Sequence, residues 1–175
     1  MDRSPCIAAI GVIGRNNNPL HISLFPAVDQ ERDLLEYSML LNSTLDIFES
    51  RSASSGPLSV DFGLLHALDD RIALYGWLLN TGIKLVIAVD MLGRTAPNAE
   101  AARTAVLGLR NSDLQPAFHA LQTAYIRLLR NPFYTPDEHD PKLSTKVGDL
   151  SIESPRFIKE VERVGRMWAP GSVAS

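Results

Sequence analysis

Residues 6–13 form an apolar run that has no polar face. In an extended strand, successive side chains point to opposite sides, so residues two apart share a face. One face would carry Cys6, Ala8, Ile10 and Val12, and the other would carry Ile7, Ala9, Gly11 and Ile13. Because both faces are apolar, both have to be covered. The run therefore predicts a sheet with helices packed on its two sides.

The order of the other predicted elements indicates an α+β fold. A polar turn at 15–19 leads into a second strand, so the first two strands are predicted to form a hairpin. The later elements are a helix capped by Asp29 that runs to about residue 50, strands at 62–68, 72–79 and 83–90, a helix capped by Asp113, and a last helix started by Ser154 and Pro155. Short turns make the three later strands antiparallel neighbours. With 175 residues, 45% of them hydrophobic, we expect one domain over residues 1–175.

Three stretches between these elements are predicted to be flexible loops. Residues 51–59 are rich in Ser, Ala, Gly and Pro and contain few side chains that could pack. Residues 93–111 form an Ala-rich insertion, in which Pro97 could start a short helix. Residues 137–153 form a polar linker before the last helix.

Charge and cysteine content narrow the class of protein. The formal net charge is −3 and both signs are interspersed, so we expect no electrostatic footprint for nucleic acid or an anionic membrane. The single cysteine, Cys6, lies in the apolar run and is interpreted as a buried thiol. The first residues lack a secretory signal, and the longest apolar run, 85–92, is too short to cross a bilayer. A cytoplasmic chain without a transmembrane segment is predicted.

No motif in the chain predicts catalysis. The four histidines are isolated from other residues at metal-binding spacing. Gly11 and Gly14 follow a strand, but a second strand comes next, whereas a phosphate-binding loop requires a helix there. Asp69 and Asp70 are interpreted as a hairpin turn. We therefore predict a protein that is not an enzyme and has no catalytic residue, cofactor or metal.

The segment Asn131-Pro132-Phe133-Tyr134 fits an internalisation signal for adaptor proteins, and it also fits the end of a helix. It directly follows an amphipathic helical pattern that ends at Leu129. A residue before proline is forced out of helical geometry, so these residues are interpreted as a helix terminator. Phe133 and Tyr134 are predicted to bury their rings against the core.

The first predicted helix is apolar on more of its surface than one sheet requires. Its core stripe is predicted to be Leu34, Tyr37, Leu41, Leu45 and Phe48. Outside that stripe lie two further groups, which give the predicted partner-binding residues Leu35, Met39, Leu40, Asp46 and Ile47. Additional apolar patches on one helix are typical of a protein-binding surface.

The element order and several strings resemble the sedlin family of vesicle-tethering subunits. The matching strings are Cys6-Ile7-Ala8, Asn18-Pro19-Leu20, Ser43-Thr44-Leu45-Asp46, Phe62-Gly63-Leu64-Leu65, Tyr75-Gly76-Trp77, residues 84–90, the helix from Phe118 through Tyr125, and Asn131 to Tyr134. The resemblance implies a longin-like fold, in which a five-stranded, mostly antiparallel sheet has one helix on one face and two on the other.

The resemblance also implies a function without catalysis. Such a chain would be a subunit of a vesicle-tethering (trafficking protein particle) complex in ER-to-Golgi and Golgi transport. The complex activates a Rab-type GTPase by nucleotide exchange, so the expected partners are other tethering subunits and, indirectly, the GTPase. Asp46 matches an acidic residue of the family that looks like part of a subunit contact. The expected location is cytoplasmic and peripheral at Golgi and ER membranes.

Two other functions remain open from the sequence. The chain could be the longin module of another trafficking machine, either a SNARE regulator or a small clathrin-adaptor chain. It could also be a small enzyme of unknown type, for which only the loop-rich insertions speak. A deep pocket with converging polar groups would favour the enzyme, and a filled core with a flat, apolar helical surface would disfavour it.

Overall fold

The computed structural model describes residues 3–25, 32–55, 61–96, 99, 102–103 and 108–171. The strands are β1 (Arg3–Ile13), β2 (Pro19–Leu24), β3 (Asp61–Ala67), β4 (Ile72–Leu78) and β5 (Lys84–Thr95). The helices are α1 (Leu34–Ser43), α2 (Leu45–Ser55), α3 (Asn111–Leu129) and α4 (Pro155–Met167), with a short 3₁₀ helix at Pro136–His139. This order is the predicted one, except that the first predicted helix consists of two consecutive segments.

The five strands form one antiparallel sheet in the order β2-β1-β5-β4-β3. Side chains along β4 alternate between two apolar clusters, with Leu74 in one and Tyr75 and Trp77 in the other. The cluster with Leu74 also contains α1 and α2 side chains and defines the first face of the sheet. The cluster with Trp77 contains α3 and α4 side chains and defines the second face. The predicted α+β, longin-like architecture is confirmed.

Aromatic side chains join the two helices of the second face to the sheet. Trp77 of β4 stacks on Phe118 of α3, with ring centroids 5.4 Å apart. At the end of α4, the indole nitrogen of Trp168 donates a hydrogen bond to the carbonyl oxygen of Asp113, at 3.0 Å. Full burial of one such aromatic side chain stabilises the fold by roughly 1.5–3 kcal/mol. These contacts fix α3 and α4 beside each other.

On the first face, glycines allow the helices to lie close to the sheet. A Cβ atom at Gly11 would lie 2.5 Å from Leu41 of α1, and one at Gly76 would lie 2.7 Å from the Phe48 ring of α2. Real Cβ contacts are longer than this, so larger residues at either position would push the helices outward. The close approach buries Leu41 and Phe48 almost completely.

A β-bulge in β1 changes which side chains share a face. Ile7 pairs with Val89 and Ala9 with Ala88, so Ala8 is an extra residue in β1. Ile7 and Ile10 consequently belong to the same cluster on the second face, although strict alternation would separate them. The predicted alternation holds on each side of the bulge, but placing Ile7 on the same face as Ala9 and Ile13 was wrong. The need to cover both faces was correct.

At α1 and α3, the hydrogen bonds at the helix N-terminus differ from those expected of the predicted capping residues. Asp33 caps α1 by accepting a hydrogen bond from the backbone amide of Glu36 at 2.9 Å. The predicted cap, Asp29, lies outside the described residues. At α3, the helix starts two residues before the predicted cap, and Asp113 instead accepts a hydrogen bond from the backbone amide of Arg110 at 2.9 Å. In both cases an aspartate satisfies a free amide at a helix N-terminus.

The helix of the first face ends later than predicted. α2 continues to Ser55, so the first five residues of the predicted loop at 51–59 are helical. Arg51 lies in this extension and donates a hydrogen bond to the carbonyl oxygen of Phe62 on β3, at 2.6 Å. This tertiary contact stabilises a turn that its Ser-rich sequence would not favour.

The predicted loop at 93–111 begins inside a strand. β5 continues through Gly93 to Thr95, because Thr95 pairs with Arg3 at the start of β1. The short helix predicted after this strand lies mostly outside the described residues.

The segment 137–153, predicted to be a flexible linker, is anchored to the β1–β2 hairpin. Asp140 is only 5% exposed and accepts hydrogen bonds from Arg15 Nε at 2.6 Å and Asn16 Nδ2 at 2.7 Å. Near the other end, the amide of Ile152 donates to a β2 carbonyl oxygen at 2.7 Å, and its side chain enters the core. The segment has little regular secondary structure, but tertiary hydrogen bonds hold it at both ends.

Candidate partner-binding surface

The outward side of α1 exposes three large apolar side chains. Leu34 is 54% exposed, Leu35 is 64% exposed and Met39 is 66% exposed. Exposure of Leu35 and Met39 agrees with their predicted place outside the core stripe. Leu34 was assigned to the core, and that assignment is wrong. It is the first residue of α1, and helical side chains lean towards the N-terminus, so Leu34 points away from the packed turns.

The other apolar residues predicted to bind a partner have a different environment. Leu40 and Ile47 are half-buried and pack against the cluster on the first face. They therefore contribute part of their surface to the chain's own core. Asp46 is exposed in the first turn of α2, where a carboxylate interacts favourably with the helix dipole.

A shallow groove of about 300 Å³ lies between α1 and the β1–β2 hairpin. Met39 and Leu45 line it on the helical side, while Ile13, Pro19 and Ile22 line it on the hairpin side. We call this groove, together with Leu34, Leu35, Met39 and Asp46, the α1 surface. Helical periodicity identified the helical half only. The hairpin half depends on β2 lying at the sheet edge beside α1, which the sequence pattern does not specify.

The α1 surface is suited to binding another protein. It combines exposed aliphatic side chains, a small apolar groove and an acidic residue at its end. Contiguous apolar area with a polar margin is characteristic of protein-interaction sites.

The Asn131–Tyr134 segment forms a turn after α3. The amide of Tyr134 donates to the carbonyl oxygen of Asn131 at 3.0 Å, and the Asn131 side-chain oxygen accepts from the amide of Phe133 at 3.1 Å. Pro132 occupies the second position of this turn, which its fixed φ favours. Phe133 is at the outer corner and is 94% exposed, so the prediction that its ring is buried was wrong.

Tyr134 is the aromatic residue of this turn that packs. Its ring stacks on His139, with centroids 4.9 Å apart, and packs against the core of the second face. Burial raises the pKa of Tyr134 above its ordinary value, and the neighbouring Tyr125 raises it further. The turn thus directs one ring inward and the other into solvent.

The buried ionisable groups that the structure describes make contacts that stabilise the fold, and they do not form a reactive site. Asp90 is fully buried and is held by Arg71 through three hydrogen bonds of 2.8 to 3.0 Å. Burial raises the pKa of the Cys6 thiol, which disfavours the reactive thiolate. In the part of the chain that the structure describes, no cluster of three or more His, Cys, Asp or Glu residues could hold a metal ion.

No helix within the described ranges has the length and apolar character needed to cross a membrane.

Comparison of the sequence with known proteins finds one family and several relatives that share a name. The family model described as Sedlin matches residues 12–167. The trafficking protein particle complex subunit 2-like protein of Dictyostelium discoideum is 30% identical over 157 residues, which is 89% of this chain and 93% of that protein. The proteins of the same name from Taeniopygia guttata and Rattus norvegicus are 26% and 28% identical over 82% and 83% of this chain, and over 96% and 93% of their own lengths. The chain belongs to the sedlin family.

Proposed function

We propose that this chain is a subunit of a trafficking protein particle complex and that it acts in assembly, not catalysis. Proteins that are named as such a subunit align with this chain over 93% and 96% of their own lengths. The α1 surface would bind a neighbouring subunit. Through that contact the chain would contribute to a complex that promotes nucleotide exchange on a Rab-type GTPase during ER-to-Golgi and Golgi transport. The chain would act in the cytoplasm, peripherally at Golgi and ER membranes.

The observation that carries this proposal is the exposure of Leu34, Leu35 and Met39 beside an apolar groove. Because each is already partly buried, a partner would gain roughly 1–2 kcal/mol from covering each one. The three together contribute about 3–6 kcal/mol, while association costs about 4–15 kcal/mol. The partner must therefore also fill the groove, and we expect it to insert an apolar side chain there.

Asp46 gives the partner a second recognisable feature. Its carboxylate is exposed at the end of the α1 surface, next to half-buried Ile47. A cation on the partner would interact with it more strongly once the surrounding apolar side chains exclude water. The proposed partner face is therefore apolar with a basic residue at its margin.

Affinity purification of the tagged chain from its host tests this proposal. We expect the wild-type chain to recover other tethering subunits. The variants Leu35→Asp/Met39→Asp and Asp46→Tyr should each reduce that recovery at least about tenfold, because two charges or a bulky ring at a packed interface cost more than 1.4 kcal/mol. Both variants should remain folded, since the altered side chains are exposed.

The matched control is Leu143→Asp/Val147→Asp, which adds the same charge at exposed apolar positions outside the α1 surface. It should leave subunit recovery unchanged. Recovery of the wild-type chain alone would refute the assembly role, and equal recovery with the α1 variants would remove this surface from the interface.

The second candidate is a longin module in a SNARE regulator or a small clathrin-adaptor chain, which the shared architecture supports. The same purification separates these functions. Recovery of large adaptor subunits or SNAREs in place of tethering subunits would establish the alternative.

A further inference from the structure

A wide cleft lies on the second face, between the end of α3 and the start of α4. Its volume is about 930 Å³. Four basic residues line it: Arg127 and Arg130 from the α3 end, and Arg156 and Lys159 from the first turns of α4. The two pairs are far apart in sequence, and the packing of α4 beside α3 brings them together. This local cluster contrasts with the interspersed charges of the whole chain.

The positive charge of the cleft is not neutralised by the described residues. None of the four basic side chains forms an ion pair or hydrogen bond within the described ranges, whereas Arg15, Arg71 and Arg163 each contact a carboxylate. The one acidic residue that lines the cleft, Glu160, accepts hydrogen bonds from Arg163 at 3.1 and 3.2 Å. The cleft therefore has an excess of positive charge that favours an anion.

The start of α4 adds neutral donors to the same cleft. Ser154 and Pro155 line it, and the Ser154 side chain makes no capping hydrogen bond. The backbone amides of Arg156 and Phe157 lie in the first turn, where the helix itself supplies no acceptor. Such amides bind phosphate oxygens well when positive side chains surround them.

Exposed apolar side chains lie next to this basic cleft. Pro132 lines the cleft, and Phe133, the next residue, is 94% exposed at the corner of its turn. Ile126 is 40% exposed and lies one helical turn before Arg130, on the same side of α3. Basic residues beside an exposed aromatic ring are characteristic of surfaces that bind the membrane interface.

We propose that this cleft binds the phosphorylated headgroup of an anionic membrane lipid while Phe133 inserts into the lipid interface. Arg127, Arg130, Arg156 and Lys159 would contact the phosphate groups, together with the α4 amides. A free phosphate compound or an acidic peptide would use the same cations but would not require an exposed phenyl ring. Because the net charge of the chain is −3, attraction to the membrane depends on this local cluster.

Vesicle co-sedimentation with the full-length chain tests the proposal. The vesicles contain phosphatidylcholine alone or phosphatidylcholine with a few per cent phosphatidylinositol monophosphate. We expect binding to the second kind only, weakening as salt is raised. Arg130→Ala/Arg156→Ala should reduce binding roughly 30-fold, the effect of two basic residues near an anionic surface. Phe133→Ser should reduce vesicle binding about tenfold, because it removes one inserted aromatic side chain.

Two variants serve as matched controls. Arg32→Ala/Arg166→Ala removes the same charge outside the cleft, where each arginine is paired with a carboxylate, and Met167→Ser removes an exposed apolar side chain at the far end of α4. Both should change vesicle binding less than about twofold. Titration of soluble inositol bisphosphate into the protein measures headgroup binding without a membrane. Phe133→Ser should bind this compound as the wild type does, because the ring is proposed to contact only the lipid interface.

Three results would overturn the proposal. In the first, Arg130→Ala/Arg156→Ala binds vesicles as the wild type does. In the second, inositol bisphosphate binds but the wild type does not bind vesicles, which assigns the cleft to free phosphate compounds. Vesicle binding that Phe133→Ser leaves intact would refute the insertion of this ring. In the third, the wild type does not bind vesicles and Arg130→Ala/Arg156→Ala loses a co-purified subunit, which assigns it to an acidic protein. The variant Leu35→Asp/Met39→Asp should bind vesicles normally, so failure of the proposed assembly role would not affect this test.

Discussion

At the scale of single residues, Asp140 stabilises a segment that has little secondary structure. Its carboxylate accepts hydrogen bonds from the amide of Lys142 at 2.9 Å and from the side chains of Arg15 and Asn16. These interactions hold the pKa of Asp140 below its ordinary value, with the Lys142 amide as the main cause. Arg15 is separated from Asp140 by 125 residues, so the contact closes a long loop.

The lowered pKa of Asp140 predicts a pH dependence of stability. A carboxyl group whose pKa is lower in the folded chain stabilises it fully above the ordinary aspartate pKa, and this stabilisation is lost as the pH falls through the folded value. We therefore expect Asp140→Asn to lower the melting temperature by a few degrees at neutral pH and by less at acidic pH. Thermal unfolding followed by circular dichroism across this range measures the difference.

The control for this prediction is Asp70→Asn, which changes an exposed acid in the β3–β4 turn. It should leave the melting temperature nearly unchanged at neutral pH. A loss in Asp140→Asn that is equal at neutral and acidic pH would show that the charge of Asp140 does not stabilise the fold.

Local geometry explains why two apolar residues are exposed although the sequence pattern predicts their burial. Periodicity placed Leu34 in the core stripe, but a stripe does not show where packing begins along a helix. Apolarity predicted that Phe133 is buried, but its position at the corner of a turn directs the ring outward. Both residues belong to exposed surfaces that we propose to be functional, and hydrophobicity alone cannot separate core from interface.

At the scale of secondary-structure elements, the strand and helix order was predictable because apolar periodicity and turn residues are local signals. The bulge at Ala8 was not predictable, because it depends on the pairing of β1 with β5. The extension of β5 to Thr95 likewise depends on pairing with Arg3. Helix α2 extends into residues whose sequence does not favour a helix, because Arg51 contacts β3. Elements thus change length where tertiary partners are available.

Close packing of α2 on the sheet gives a prediction at this scale. A Cβ atom at Gly76 would lie 2.6 Å from Leu65 and 2.7 Å from Phe48, both of which are buried. We expect Gly76→Ala to reduce the free energy of unfolding by about 1–3 kcal/mol, because the added methyl group displaces packed side chains. Urea denaturation measures this change.

A double-mutant cycle distinguishes overpacking from a backbone effect. Leu65→Ala removes the nearest obstructing side chain, so Gly76→Ala should destabilise the Leu65→Ala background clearly less than the wild type. Additive effects of the two substitutions would mean that contact with Leu65 is not the cause.

At the scale of the whole molecule, the sheet separates two surfaces. The α1 surface lies on the first face, and the basic cleft lies between the two helices of the second face. The sequence indicated the first surface because a single helix carries most of it. It could not indicate the cleft, because Arg130 and Arg156 meet only through the packing of α4 beside α3. The expectation of no footprint for an anionic membrane rests on the charges of the sequence alone, whereas the proposed lipid site rests on charges that the fold brings together.

Separation by the sheet predicts that the two proposed activities can be lost independently in the host. Leu35→Asp/Met39→Asp should lose tethering subunits while the purified chain still binds vesicles, because its substitutions lie on the opposite face. Arg130→Ala/Arg156→Ala should recover the subunits in full but show a several-fold smaller membrane fraction after cell lysis. Quantitative mass spectrometry of the purified complex and of membrane pellets measures both effects. If either double variant lost both activities while remaining folded, subunit contact and membrane contact would share one surface, and the two-faced arrangement proposed for this molecule would be wrong.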